Sequence, residues 1–187
     1  MLILASTSPR RKELLRNAGI EFIAQGADIP EVPKPGEAPE ALARRLAREK
    51  AETVWKNAGH AFVLGADTVV VTDDEVLGKP KDPEDAARML RKLSGATHQV
   101  LTGVCLMTPT GKKDVQHEVT RVHMHPISAD DIAYYVAHGE PMDKAGAYAI
   151  QGIASRWIDH IEGDYFNVMG LPVALVYRML REHKALP

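Results

Sequence analysis

The chain has 187 residues, 45% of them apolar, with a formal net charge of -2. That suffices for one domain, or one domain with a sub-lobe, and for a real core. The charge balance excludes a global basic field for nucleic acid, and three Phe, two Trp and five Tyr argue against a stacking platform for single strands.

Cys105 is the only cysteine, so a disulfide framework is excluded and a cysteine-based zinc site is disfavoured; it reads as a small core residue. Arg10 and Arg11 interrupt the first apolar run too early for a signal peptide, and no segment approaches membrane-spanning length. A soluble cytoplasmic protein is the expectation.

Leu2 to Ala5 reads as a short buried strand. Ser8 is suited to cap a helix and Pro9 to begin it, with Leu14, Leu15 and Ala18 as its apolar face and Gly19 as its stop. Arg10 and Arg11 then fall in the first turn, where cations are locally unfavourable. Either the two are solvated, or an anion bound there reverses the sign. A strand is expected near Ile20 to Ala24. Four prolines between Ile29 and Pro39 then enforce a long loop.

A helix follows from Pro39 to Asn57, closed by Gly59. At 3.6 residues per turn, Leu42, Ala43, Leu46, Ala47, Thr53 and Val54 share one face, and Lys50 lands near its middle. Lys50 either snorkels to the edge of that stripe or points into a cleft that holds an anion.

Phe62 to Leu64 reads as a strand, followed by Gly65-Ala66-Asp67-Thr68 and a β-rich run, Val69-Val70-Val71. Asp67 lies among apolar neighbours and needs a metal, a cation or several N–H donors, unless it caps its own turn. Val69 to Thr72 and Glu75 to Gly78 read as a hairpin about Asp73-Asp74. If Thr72 faces Glu75, Thr68 falls opposite Lys79 and brings Asp67 beside it. That pair is either a base with a phosphate clamp or a weak surface ion pair.

Asp82-Pro83-Glu84-Asp85 starts a helix running to Leu93 and stopped by Gly95. Val100 to Met107 and Glu118 to Met124 read as strands around Pro109-Thr110-Gly111. Ser128 opens a helix ending near Gly139. Gly139 to Gly152 is rich in Gly and Ala, which either lets the backbone approach a ligand or serves packing. Gln151, after an apolar strand from Ala147 to Ile150, carries an amide able to read the polar edge of a base or sugar. Trp157 to Ile161 is a further short strand. Asn167 and Gly170 read as turn-shaping residues before the closing helix, Pro172 to His183. His123 and His125 could share a strand face but make an incomplete ligand set. Neither a P-loop nor GxGxxG is present. Strands interleaved with helices, plus hairpins, predict an α/β fold with a mixed sheet.

Five segments in order, Leu4-Ala5-Ser6-Thr7-Ser8-Pro9-Arg10-Arg11, Gly65-Ala66-Asp67-Thr68-Val69-Val70, Leu77-Gly78-Lys79-Pro80, Lys144 to Gly152 and Asn167-Val168-Met169-Gly170-Leu171-Pro172, resemble the Maf family. That family comprises nucleoside triphosphate pyrophosphatases first described as septum-formation inhibitors. The resemblance runs from Leu4 to Pro172. It implies a single ITPase-like (Maf/Ham1) α/β domain over residues 1–187, with an elongated mixed sheet flanked by helices and a cleft between two lobes. It also implies a homodimer.

Residue by residue, the resemblance implies that Asp67 activates water and that Arg10, Thr68 and Gln151 select dTTP and UTP. Ser8, Arg11, Lys50 and Lys79 would hold the triphosphate, and Glu31 with Asp67 a divalent metal, Mg²⁺ or Mn²⁺. The chain departs from the family in the Pro-rich loop, where an Asp-Glu pair is common and Ile29-Pro30-Glu31-Val32 stands instead. The activity implied is hydrolysis of dTTP and UTP, with modified pyrimidine nucleotides as further substrates, to the monophosphate and pyrophosphate. Two alternatives stand beside it: a nucleotide-sensing regulator of cell division without turnover, and the same enzyme acting on methylated-guanine or inosine nucleotides.

Overall fold

A computed structural model describes residues 1–73 and 75–186. Among the described residues seven strands form one mixed sheet: β1 (Leu2–Leu4), β2 (Ile23–Ala24), β3 (Phe62–Val71), β4 (Val76–Leu77), β5 (Thr97–Met107), β6 (Lys113–Met124) and β7 (Ile158–Glu162). Their order is β2-β1-β3-β5-β6-β7, with β4 paired to β3. β1 runs parallel to both β2 and β3, whereas the β3–β4 and β6–β7 pairs are antiparallel. The helices are α1 (Pro9–Asn17), α2 (Pro39–Trp55), α3 (Pro83–Leu93), α4 (Ala129–Ala137), α5 (Tyr165–Met169) and α6 (Val173–Glu182). None of the described helices is long and apolar enough to cross a membrane.

The chain divides into two compact units. Unit 1 is Met1–Thr68, Thr102–Glu118 and Gly170–Pro187; unit 2 is Val69–Leu101 and Val119–Met169. In unit 1, Ile3, Ala5, Val63, Cys105 and Met107 pack with Ala47, Ala51 and Val54 of α2. Burial pushes the Cys105 thiol up to about 12, as befits an inert core residue. In unit 2, Met89, Leu90 and Leu93 of α3 join Ile132 and Tyr135 of α4, Val122, Met124 and Trp157.

Most expected elements form, and the differences have local causes. The strand after α1 is only Ile23–Ala24. Phe62 to Leu64 and Val69 to Val71 are not two elements: β3 runs unbroken from Phe62 to Val71, so Asp67 is a strand residue and not a turn residue. Thr72 does face Glu75, whose carbonyl accepts from the Thr72 amide at 2.9 Å. Asp74 of the expected Asp73-Asp74 turn lies outside the described residues. The β3–β4 ladder comprises Val71↔Val76 and Val70↔Leu77.

Ala147 to Ile150 forms no strand: a 3-10 turn covers Ala145–Ala147, where Ala147 has a φ of 60° that pleated backbone does not allow. The turn before the closing helix contains the short α5, whose Phe166 and Asn167 amides donate to Asp164 Oδ1. Asn167 is buried and donates to the Val100 carbonyl and the Thr120 hydroxyl, a structural role as expected.

Candidate functional site

The close seating of α2 on the sheet in unit 1 comes from two glycines and an alanine stripe. A Cβ at Gly65 of β3 would lie 2.2 Å from the Ala47 carbonyl oxygen, and one at Gly103 of β5 would lie 2.2 Å from that of Ala43. Both glycines therefore face α2, which meets them with Ala43, Ala47 and Ala51 at four-residue intervals. Strand side chains alternate, so Asp67, two residues beyond Gly65, points to the same face. Lys50, beside Ala51, meets it there.

Lys50 is 7% exposed and Asp67 5%. The Lys50 Nζ donates to Asp67 Oδ1 at 2.6 Å and lies 2.5 Å from Glu31 Oε1. Of the two readings of Lys50, snorkelling is thus ruled out: the ammonium sits between two carboxylates. Burial raises the Asp67 pKa; Lys50 and then Arg11 oppose that rise, while Glu31 adds to it. Within unit 1, Asp67 makes an acid–lysine pair with Lys50.

Thr68 points to the opposite face by the same alternation. Its hydroxyl lies 2.9 Å from that of Thr102 and accepts from an Arg11 Nη at 3.0 Å. Arg11 also donates through Nε to the Gly170 carbonyl at 2.8 Å and through its other Nη to Ser6 Oγ at 3.4 Å. Gly170 has a φ of 112°, a conformation that only glycine adopts readily. Burial lowers the Arg11 pKa, Asp67 opposes that and Arg10 adds to it, yet a guanidinium stays charged at neutral pH. Arg11 therefore fixes the start of α1 to β3 and to the Gly170 turn. Ser8 caps α1 through a long bond from the Arg11 amide, 3.5 Å, and Arg10 is half-buried in the same turn.

Glu31 stands on the Pro-rich loop, and the residue that holds this loop escaped the sequence. Arg45, on α2, donates to both Glu37 carboxylate oxygens at 2.6 and 2.7 Å, to Glu49 and to the Val32 carbonyl at 3.0 Å. The Arg45 bonds, then the Lys34 amide, hold the Glu37 carboxyl down to about 2. Arg45 falls outside the apolar face of α2, so helical periodicity assigns it to solvent. Thr102 was also missed, because a threonine inside a strand carries no signal of its own.

The profile of the family described as "Maf-like protein" matches residues 1–183. The chain belongs to this family. A protein of Koribacter versatilis named dTTP/UTP pyrophosphatase is 58% identical to it over 180 residues, which is 96% of this chain and 93% of that one. Proteins of the same name from Syntrophomonas wolfei and Aquifex aeolicus are 49% and 46% identical over at least 95% of this chain and 94% of each relative. Among solved structures, the Staphylococcus aureus Ham1 protein covers 97% of the chain at 12% identity with a TM-score of 0.47, a likeness that carries no further argument.

In this Maf-like protein, unit 1 gathers Asp67, Lys50 and Glu31 on one face of β3, and Thr68 and Arg11 on the other. Lys79, exposed after β4, and Gln151, exposed after the Ala145–Ala147 turn, belong to unit 2. Among the described residues no three His, Cys, Asp or Glu side chains group as a metal cage. Glu31 and Asp67 nevertheless converge on one cation, the Lys50 ammonium, so their oxygens could supply part of the shell of a hard divalent ion.

Proposed function

We propose that this Maf-like protein hydrolyses dTTP and UTP between the α and β phosphates, giving the nucleoside monophosphate and pyrophosphate. The observation that carries the reading is the buried Lys50 ammonium held between Asp67 and Glu31. Binding alone needs no carboxylate beside a polyphosphate, whereas hydrolysis needs a base for water and cations for phosphate oxygens. The names of relatives that match nearly end to end support the same reaction and the same bases.

Asp67 takes the proton of the attacking water at its carboxylate as the phosphoanhydride bond breaks and pyrophosphate leaves. Its raised pKa makes it a better base than an exposed aspartate. Lys50, Arg11, Ser8 and Lys79 neutralise and orient the triphosphate, and Arg10, Thr68 and Gln151 select the nucleoside. Glu31 and Asp67 would hold Mg²⁺ or Mn²⁺, which when bound neutralises charge on the phosphate oxygens. We further read the protein as a cytoplasmic homodimer, to be checked by light scattering of the purified chain.

The deciding experiment is a panel of nucleoside triphosphates assayed for pyrophosphate with Mg²⁺ or Mn²⁺, including inosine and methylated-guanine nucleotides. Release from dTTP and UTP above the rest is expected. A protein that binds dTTP and releases no pyrophosphate with either metal would be a sensor and not this enzyme. In the same assay Arg10→Ala should change the ranking of bases, and Arg11→Ala should weaken all substrates alike.

A further inference from the structure

Gln151 is exposed, and among the described residues no group hydrogen-bonds its amide. Its direction must therefore come from the backbone on either side. Two anchors flank it. The Ala149 amide donates to the Tyr135 hydroxyl at 3.2 Å, and that hydroxyl donates to Glu140 Oε1 at 2.8 Å. The Ile153 amide donates to the same carboxylate, at 3.2 Å to Oε1 and 3.4 Å to Oε2.

Because the Tyr135 oxygen accepts from Ala149, its own proton goes to Glu140 and the relay has one direction. Burial, then the Glu140 hydrogen bond, pushes the tyrosine pKa up, so it remains a donor. One carboxylate thus holds the chain two residues before Gln151, through Tyr135, and two residues after it, directly. Between them, a Cβ at Gly152 would lie 2.1 Å from Glu140 Oε1, so the carboxylate also rests against the backbone next to Gln151. Glu140 itself is braced by Lys144, which donates to the Glu140 carbonyl at 2.6 Å. All of these residues lie in unit 2.

We propose that Glu140 is a positioning residue for base selection, setting the direction of the Gln151 amide through Tyr135, Gly152 and Ile153. The proposal rests on the reading that Gln151 meets the base. It adds a residue that touches no substrate and acts through three others. Hydrolysis itself, assigned to unit 1, does not pass through it.

The test compares kcat and KM for dTTP and CTP in Glu140→Ala, Glu140→Gln, Tyr135→Phe and Gln151→Ala, with a double variant of Glu140→Ala and Gln151→Ala. Glu140→Ala should lower the preference for dTTP about tenfold, through KM, with kcat changed less than about twofold, as for lost uniform binding. Glu140→Gln keeps a carbonyl oxygen where Oε1 accepts both bonds and should restore most of the preference. Tyr135→Phe removes only the Ala149 anchor; it should cost about threefold and remains informative if Glu140→Ala does not fold. The double variant should lose no more preference than Gln151→Ala alone, because the two act on one contact.

Two failures are distinguishable. If Gln151→Ala leaves the preference unchanged, Gln151 does not meet the base, and the reading beneath the proposal falls. If Gln151→Ala shifts it while neither Glu140→Ala nor Tyr135→Phe does, or if the losses add in the double variant, the positioning role of Glu140 is overturned.

Discussion

The two units solve the same problem, holding a polar side chain in place, by different means. Unit 1 sets its charges on regular elements: Lys50 on α2, Asp67 on β3 and Arg11 on α1. Their positions follow from strand alternation and from the close approach that Gly65 and Gly103 allow. Unit 2 has no such frame around Gln151; side chains bond to the backbone of a Gly-rich segment instead. The difference separates the proton transfer at Asp67 from the contact proposed for Gln151. Groups on rigid elements suit proton transfer, where small displacements are costly, while a pinned loop suits the choice of a ligand edge.

The sharpest test of this division is Asp67→Asn. Removing a general base costs about 10²- to 10⁴-fold in kcat, and the upper part of that range is expected here. The base preference of the residual activity should not change, since Arg10, Thr68 and Gln151 all remain; a changed preference would place Asp67 itself among the groups that select the base. Stability should move the other way. Because burial raises the Asp67 pKa, the folded state holds the proton more tightly than the unfolded chain does. Its contribution therefore declines as pH rises from the ordinary aspartate value through the raised one. Asparagine has no proton to lose, and Lys50 keeps Glu31 as a partner, so Tm at pH 7 should rise. A fall in Tm would show that the Lys50 pair outweighs the burial of Asp67.

The division also explains what could be read in the sequence. Lys50 stood out because α2 is periodic, and a charge inside an apolar stripe is visible on a helical wheel. Asp67 stood out because apolar residues surround it. The unbroken course of β3 through Gly65 was not visible, because a glycine after a short apolar run signals a turn as readily as a close approach. The supports of the Gly139–Gly152 region were invisible for another reason. Tyr135 and Glu140 act on backbone amides 14 and 13 residues away, and no periodicity marks such a bond.

A smaller effect separates the units by pH. His98 is buried in unit 2, with Nε2 2.7 Å from the Tyr148 hydroxyl, and burial pulls its pKa down to about 4. The folded state thus binds this proton less tightly than the unfolded chain does, opposite in sign to Asp67. The contribution is complete above about pH 6.5 and is lost as pH falls from there to about 4; at 1.36 kcal/mol per unit it is roughly 3 kcal/mol. His98→Gln, which does not titrate and can still bond Tyr148, should flatten stability over that interval in urea melts at stepped pH. A slope as steep as that of the parent chain would assign the acid sensitivity to another group.

The smallest expected effect concerns a loop of unit 1 that is held by the device of unit 2. Besides the Lys50 contact at Glu31, the loop is pinned by Arg45, which binds the Glu37 carboxylate and the Val32 carbonyl, much as Glu140 binds Tyr135 and the Ile153 amide. With Glu37 held to about 2, this clamp contributes fully above pH 4.5 and is lost only as pH falls towards 2. Arg45→Ala should leave Asp67 and Lys50 on their elements and free the loop beside them. About a tenfold loss in kcat/KM is expected at limiting Mg²⁺, on the order of 1.4 kcal/mol. High Mg²⁺ should recover part of it if Glu31 is a metal ligand, and protease cleavage within residues 29–38 should quicken. Quicker cleavage with unchanged kinetics would remove Glu31 from the site and leave the chemistry of unit 1 wholly on regular elements.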